Sequence, residues 1–249
     1  MPAPVLLVTG GGRGIGAATA LLAAERGYAV GVNYRRDADA AHAIAQRIRD
    51  AGGQAVALRG DVAVEADVVA MFRQLDSALG PVAALVNNAG VLETQMRVDA
   101  MDAARIQRTL ATNVTGTLLC CREAIRRMST RHGGSGGGIV NVSSVAARTG
   151  SPGEYVDYAA SKGAVDSLTV GIAHEVAAEG IRVNGVRPGF IYTDMHASGG
   201  EPGRVDRVKA FVPLKRGGEA DEVARAILWL LSDEASYTTG SFIDVAGGR

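Results

Sequence analysis

Cysteine is nearly absent from these 249 residues: there are two, Cys120 and Cys121, and they are neighbours. A disulfide between adjacent residues is strained and closes no loop, so a disulfide-stapled fold is excluded and the pair reads as packing inside a helix. Charge of one sign is also lacking, with Lys+Arg and Asp+Glu at 26 each. That balance leaves no basic field to attract nucleic acid. No apolar run approaches the roughly 18 residues of a membrane span, and the first residues lack the charged and apolar regions of a secretory signal. The expectation is a cytoplasmic protein with no membrane and no nucleic-acid partner. Internal repeats and dividing linkers are missing as well.

Glycine is plentiful: 33 residues, about 13% of the chain against a usual ~7%. Much of the excess falls in recognisable turns. Hydrophobic residues at 47% and charged residues at 21% fit an ordinary globular chain with a sizeable core. Short β-rich runs near residues 5–9, 29–33, 55–59, 83–87, 138–142, 182–187 and 241–245 alternate with helical segments. This is the pattern of an α/β fold: one Rossmann-type, doubly wound parallel sheet of about seven strands with helices on both faces, formed by residues 1–249 as a single domain. Ligands of such sheets bind beyond the carboxyl ends of the strands.

The first such end carries a glycine turn. Val5–Thr9 is followed by Gly10-Gly11-Gly12-Arg13-Gly14-Ile15-Gly16 and then an alanine-rich helix. Glycines let the backbone approach a ligand, and the free N–H groups and dipole of a helix N-terminus attract phosphate. Strand, turn and helix in that order read as a pyrophosphate cradle, although the spacing is TGxxxGIG and not the general GxGxxG. After the second strand the chain reads Asn33-Tyr34-Arg35-Arg36, with no acid to bond an adenosine ribose. Arg13 and Arg35 suit a clamp on a 2′-phosphate, which favours NADP(H) over NAD(H); the alternative is that both are plain surface cations.

The most chemical stretch is Tyr158-Ala159-Ala160-Ser161-Lys162, which places a phenol and an ammonium four residues apart on one helix face. A nearby cation stabilises a phenolate, so Tyr158 is a candidate general acid/base. Bringing a phenol from about 10 to near 7 takes roughly 4 kcal/mol, more than one exposed cation supplies.

These motifs, with Asp61-Val62, Asn87-Asn88-Ala89-Gly90, Asn113, Asn141-Val142-Ser143-Ser144 and Arg187-Pro188-Gly189 before Thr193, occur in the order found in the short-chain dehydrogenase/reductase family, which the chain resembles over essentially its full length. The resemblance implies an oxidoreductase acting on a small carbonyl compound or secondary alcohol. Its catalytic set is Asn113, Ser144, Tyr158 and Lys162. Tyr158 then exchanges the proton, Lys162 lowers its pKa and binds the nicotinamide ribose, Ser144 bonds the substrate oxygen, and Asn113 holds a water that links Lys162 to solvent. The cofactor set is Gly10, Gly12, Arg13, Gly14, Ile15, Gly16, Asn33, Tyr34, Arg35, Asp61, Val62, Asn87, Ala89, Gly90, Pro188, Gly189, Ile191 and Thr193, together with Tyr158 and Lys162. In it Asp61 accepts from the adenine amino group and Pro188 to Thr193 hold the nicotinamide. Asn87 equally suits a place inside the sheet. No metal site is expected.

Two choices remain local. Ser144 is the second of a serine pair, as in the family, although its interval to Tyr158 is one residue longer than in many members. Tyr155 has Ala159 and not lysine four residues on, so it reads as a pocket wall. The segment from about Tyr192 to Gly218 is expected to form a substrate lid in which His196 is a polar lid residue and not a catalyst. Three readings follow: a small-molecule reductase or dehydrogenase, a 3-oxoacyl-acyl-carrier-protein reductase, and a catalytically silent NADP-binding regulator. Against the second, Glu179 stands where carrier-docking relatives present a base, while Arg131 still suits a basic patch. The resemblance, with the long, partly apolar Met101–Met128 segment, also implies a homotetramer.

Overall fold

Alternation of side chains along each strand decides how this chain layers. Within Val5-Leu6-Leu7-Val8 all four residues are buried, Leu6 and Val8 facing one side of the sheet and Val5 and Leu7 the other. A strand apolar on both sides must be covered on both. The computed structural model describes residues 2–249. Its elements run β1 (Val5–Val8), α1 (Gly14–Glu25), β2 (Ala29–Tyr34), α2 (Ala38–Asp50), β3 (Ala55–Arg59), α3 (Glu65–Leu79), β4 (Val82–Asn87), α4 (Ala103–Leu110), α5 (Gly116–Met128), β5 (Gly137–Val142), α6 (Ala146–Thr149), α7 (Val156–Val176), β6 (Ile181–Pro188), α8 (Met195–Ser198), α9 (Arg204–Val208), α10 (Ala220–Leu231) and β7 (Phe242–Val245).

All seven strands lie parallel in one sheet of order β3-β2-β1-β4-β5-β6-β7. Helices α1, α2 and α10 supply one core, with Ile44, Ile48, Val223 and Ile227 against Leu6, Val8 and Val86. Helices α3, α5 and α7 supply the other, with Met71, Phe72, Met128 and Ile172 against Leu7, Leu85 and Ile139. Each fully buried Leu, Ile, Phe or Met contributes about 1.5–3 kcal/mol, which is why the amphipathic helices α2 and α10 hold their faces to the sheet. Cys120 and Cys121 sit in the second core as free thiols; burial pushes both up, Cys121 to about 12, so neither is a nucleophile. No helix among the described residues is long and apolar enough to cross a membrane.

The order of winding reverses at β1. The chain builds outward through β2 and β3, then returns to place β4 on the other side of β1. A crevice opens at such a reversal, beyond the carboxyl ends of β1 and β4. Two details of the chain bear on the strands beside it. The Met101–Met128 segment is no single helix: Ala111–Thr115 forms a π-helical turn between α4 and α5, with Asn113 at its centre. The glycine tract from residue 133 onward is a loop only as far as Gly136, since Gly137 and Gly138 already belong to β5.

A buried ion pair joins α4 to the start of α7. Arg105 Nε donates to Asp157 Oδ2 at 2.8 Å, Nη2 to Oδ1 at 3.3 Å and Nη1 to the Thr94 carbonyl at 2.5 Å, with the two side chains 6% and 4% exposed. Burial alone raises a carboxyl pKa. Here the Arg105 hydrogen bonds and the backbone N–H groups of Tyr158 and Asp157 outweigh it, and the Asp157 pKa is lowered. Asp157→Ala leaves the guanidinium buried and unpaired and should destabilise the fold by about 3–5 kcal/mol in urea denaturation, whereas replacing both partners by apolar residues of similar volume should recover most of that loss. Because the folded pKa lies below the usual carboxylate value of about 3.9, the pair's contribution is present above that pH and should be lost as the pH falls through the lowered value.

Candidate active site

The crevice is held open by asparagines. Asn33, at the end of β2, accepts from the Gly10 N–H at 3.1 Å while its Nδ2 donates to the carbonyls of Leu58 and Gly60. Asn88, just past β4, donates through Nδ2 to the carbonyls of Thr9 and Gly10, both at 3.0 Å. The Thr9 hydroxyl accepts from the N–H groups of Asn88 and Ala89. These bonds satisfy the loop's polar groups from below and leave its upper surface to the crevice. Glycine is obligatory at two points: Gly14 has φ +52°, and a Cβ on Gly16 would lie 2.3 Å from the Gly10 carbonyl oxygen. Helix α1 starts at Gly14 with Arg13 as its N-cap, and no side chain caps its first N–H groups.

A cleft of 540 Å³ lies above this turn, a size suited to a ligand and lined by both signs of charge. Gly10, Gly12, Gly14 and Ile15 form its floor, with Ala89 and Gly90 from the next strand end and Thr193 closing over Gly14. At its outer end stand Arg13, Asn33, Tyr34, Arg35, Asp61 and Val62. Arg35 Nη1 lies 3.5 Å from Asp61 Oδ2, so the two residues assigned from the sequence to separate parts of the nucleotide face each other. Arg13 has no ion-pair partner among the described residues. The adjoining Asp37 is spent as the cap of α2, accepting from the Ala40 N–H at 3.1 Å.

The uncapped helix start, the glycine floor a Cβ would fill and the unpaired cation at the outer end together fit an anionic dinucleotide. Seven residues of the expected cofactor set do not line this cleft; Tyr158 and Lys162 lie beyond Gly90, and the other five are placed as follows. Gly16 packs beneath the turn. Asn87 is inside the sheet, its Nδ2 donating to Asn141 Oδ1 at 2.9 Å and to Cys121 Sγ. Pro188 and Gly189 end β6, where the Gly189 N–H donates to the Val245 carbonyl, and the Ile191 side chain belongs to the first core. Sequence reasoning passed over Asn88, Arg36, Thr112, Leu92 and Met195, all of which line the cleft. Strand parity signals Asn88: with Asn87 turned into the sheet, its neighbour faces the crevice.

Beyond Gly90 the four expected catalytic residues come together. A Cβ on Gly90 would lie 3.4 Å from Asn113 Oδ1 and 3.6 Å from Lys162 Nζ. Asn113 Oδ1 accepts from the Val91 N–H at 2.8 Å, and its Nδ2 donates to the Val91 carbonyl and to Ser161 Oγ. Its side chain therefore clamps the loop after β4 onto α7, and its own carbonyl accepts from Thr117. Ser143 is buried, its hydroxyl donating to the Lys162 carbonyl, while the Ser144 hydroxyl faces the Tyr158 phenol. The interval to Tyr158 is taken up by α6 and a turn in which Ser151 has φ +43°.

Lys162 donates to the Val142 carbonyl at 2.7 Å, and its Nζ lies 5.6 Å from the centre of the Tyr158 ring. Burial pushes the Tyr158 phenol up to about 12, with Ser144 pulling the other way, and burial pulls Lys162 down to about 8, with Asp166 opposing. The protein's own groups therefore keep Tyr158 protonated at neutral pH.

Residues 192–218 form a closed flap whose neck is sealed by the Ile191–Gly218 bridge. Tyr155, buried, donates its hydroxyl to the Gly199 carbonyl at 3.2 Å and carries the Arg204 guanidinium 4.8 Å above its ring. Gln95 donates to Glu201, and Arg204 bonds Glu154. His196 turns away from the cleft, its Nε2 3.1 Å from the Ile191 carbonyl oxygen, and burial followed by Arg204 lowers its pKa. No cluster of His, Cys, Asp or Glu able to hold a metal ion occurs among the described residues.

Several known proteins are similar to this chain over nearly its whole length. A family model described as enoyl-(acyl carrier protein) reductase matches residues 10–249. The uncharacterised oxidoreductase YgfF of Escherichia coli K12 is 65% identical over 98% of this chain and 99% of its own length. The 3-oxoacyl-[acyl-carrier-protein] reductase FabG of Staphylococcus epidermidis RP62A is 37% identical over 97% of both chains, and that of Staphylococcus aureus Mu50 is 36% identical over 97% of this chain and 96% of its own. With the glycine turn, the Ser144–Tyr158–Lys162 grouping and relatives that match it from end to end, this chain belongs to the short-chain dehydrogenase/reductase family of oxidoreductases.

Proposed function

We propose that this protein is an NADP(H)-dependent reductase of a free small carbonyl compound, with Tyr158 as its general acid. The observation that carries the reading is the Ser144 hydroxyl facing Tyr158, with the Lys162 ammonium 5.6 Å from the centre of the same ring, just beyond Gly90, which lines a cleft suited to an anion. The dinucleotide, when bound, supplies the hydride. Ser144 and Tyr158 both hydrogen-bond the substrate oxygen, and Tyr158 gives it a proton as negative charge develops there. With its pKa raised by burial, the Tyr158 phenol carries the proton that a carbonyl oxygen needs as it is reduced. Lys162 binds the ribose beside the nicotinamide and returns the proton to Tyr158. Asn113 holds the loop and helix that frame this route. Self-association through α4 and α5, whose Leu110 and Leu118 are exposed, into a homotetramer belongs to the same reading.

NADP preference is supported by Arg13 and Arg36, by Arg35 shared with Asp61, and by the capping role that occupies Asp37, the acid that follows Arg36. NADPH should bind more tightly than NADH in direct titration. Arg35→Ala should cost about 1.5–3 kcal/mol of NADPH binding and little of NADH binding. Equal affinities for the two nucleotides in the parent protein would sink this preference.

Tyr158→Phe should abolish NADPH-dependent carbonyl reduction and leave nucleotide affinity nearly intact, while Tyr155→Phe, which removes one hydrogen bond to the flap, should be mild. Nucleotide affinity should weaken as the pH rises through about 8, where the Lys162 ammonium loses its proton. An active Tyr158→Phe beside a dead Tyr155→Phe would reverse the assignment.

A second reading is favoured by the relatives named 3-oxoacyl-[acyl-carrier-protein] reductase. Against it, Glu179 presents an acid toward any acidic carrier, only weakly offset by Arg131 at 3.9 Å. Turnover of a ketoacyl group on carrier protein should be within tenfold in kcat/KM of the same group on a short thioester. A larger, salt-sensitive gain, worth more than about 1.4 kcal/mol, would favour the carrier-linked reaction.

A further inference from the structure

Lys162 is a buried cation whose single hydrogen-bond partner among the described residues is a neutral carbonyl, that of Val142. Among the described residues no carboxylate lies within ion-pair distance of it. A buried ammonium without a counter-charge tends to shed its proton. The groups around it are few. The strand β5 contributes only the Val142 carbonyl, the loop after β4 contributes Gly90, and the π-helical turn contributes Asn113, none of them charged. Helix α7 contributes the Tyr158 ring and, one turn beyond Lys162 on the same face, Asp166.

Asp166 is built into place. Its Oδ2 accepts from Arg187 Nε at 2.9 Å, both side chains are 18% exposed, and its Oδ1 is buried with no hydrogen-bond partner. That oxygen, turned inward without a hydrogen-bond donor, is open to the field of a nearby cation. Arg187 is fixed in turn: it stacks 3.9 Å above the Phe242 ring, and its Nη1 lies 3.3 Å from Asp244 of β7. Asp244 also takes Arg148 of α6, the helix that begins two residues after Ser144. Alternating charges therefore run from the helix of Tyr158 and Lys162, across β6 and β7, to the segment that carries Ser144. Arg148 is 60% exposed, so this outer link contributes little and the partly buried Asp166–Arg187 pair matters most.

We propose that Asp166 and Arg187 are positioning residues for the reaction: the Asp166 carboxylate keeps Lys162 charged inside the site, and Arg187 fixes that carboxylate and moderates its pull. The proposal rests on the role given to Lys162 above. The balance of burial against Asp166 that leaves Lys162 at about 8 is in keeping with it.

The test reads the proton on Lys162 itself. Acylation of its amine is followed against pH by mass spectrometry in the full-length protein without nucleotide, since only the neutral amine reacts. Asp166→Asn should move the midpoint down by about one pH unit. Arg187→Gln should move it up, because the carboxylate loses its nearer cation and Lys162 loses a like charge. Opposite signs are the signature, since merely loosened packing would shift both variants the same way. Thermal unfolding of each variant reports the fold, and should Asp166→Asn fail to fold, the sign of the Arg187→Gln shift decides alone. NADPH affinity of Asp166→Asn should fall by up to about tenfold near pH 8 and recover about a unit or more below it. An unmoved midpoint in Asp166→Asn, or shifts of the same sign in both variants, would overturn the proposal. A shifted midpoint in a protein that reduces no carbonyl compound would instead overturn the functional reading and leave the Asp166–Lys162 coupling standing.

Discussion

The Asn88 side chain, donating to two consecutive carbonyls of the glycine turn, is the contact on which the rest of the site depends. It joins the carboxyl ends of β1 and β4, the two strands between which the winding reverses, and so fixes the width of the crevice. Asn33 does the same from the β2 side by accepting the Gly10 N–H. With the turn's carbonyls engaged below, the first N–H groups of α1 stay free to face a ligand above. A net hydrogen bond contributes only about 1 kcal/mol, but leaving a buried carbonyl unpaired costs more, so the turn has little freedom to adopt another shape.

Burial governs the chemistry at the inner end. It acts on Tyr158 and Lys162 in the same sense, disfavouring the charged form of each, so the phenol rises and the ammonium falls. The pair expected from the YxxxK spacing is real as a spatial pair, at 5.6 Å between cation and ring, yet it is not by itself an activating one. Moving a phenol from about 12 to near 7 takes roughly 7 kcal/mol, beyond what a cation over the ring face supplies. In the proposed function the missing stabilisation has to arrive with the bound nucleotide, or else the tyrosine acts only in its protonated form. The charges behind Lys162 serve the second requirement of such a site, that its cation survive burial.

The flap over the site is held differently. Its bonds to the body include ion pairs and single side-chain contacts, Gln95 to Glu201, Glu154 to Arg204, Tyr155 to Gly199, beside the buried Val205, Val208 and Val212. Exposed ion pairs contribute little each, so this segment is tied far less firmly than the sheet beneath it. Arg204, buried between the Tyr155 and Phe190 rings, and the buried valines beside it are the flap's firmest anchors.

Much of this was legible in the chain itself. Seven β-rich runs separated by helical segments sufficed for the sheet, because a strand buried on both faces must be apolar at every position, and Val5–Val8 is. The ordered motifs sufficed for the family and for bringing Ser144, Tyr158 and Lys162 to one place, since glycine spacing and an i, i+4 pair are local geometry. What local geometry does not carry is which partner a polar side chain finds. Asn87 and Asn88 are alike as letters, and only the pleat of β4 sends one to Asn141 and the other to the glycine turn. Ile191 sits among cofactor motifs but is drawn into the core, and the Met101–Met128 segment divides into two helices at a π turn centred on Asn113. The ion pairs Arg105–Asp157, Arg35–Asp61 and Arg187–Asp166 join residues 52, 26 and 21 positions apart. Sequence determined the backbone pattern and the chemical groups available; tertiary packing decided their partners, and through burial their charge states, because desolvation and Coulomb interaction depend on distance in space and not on distance along the chain.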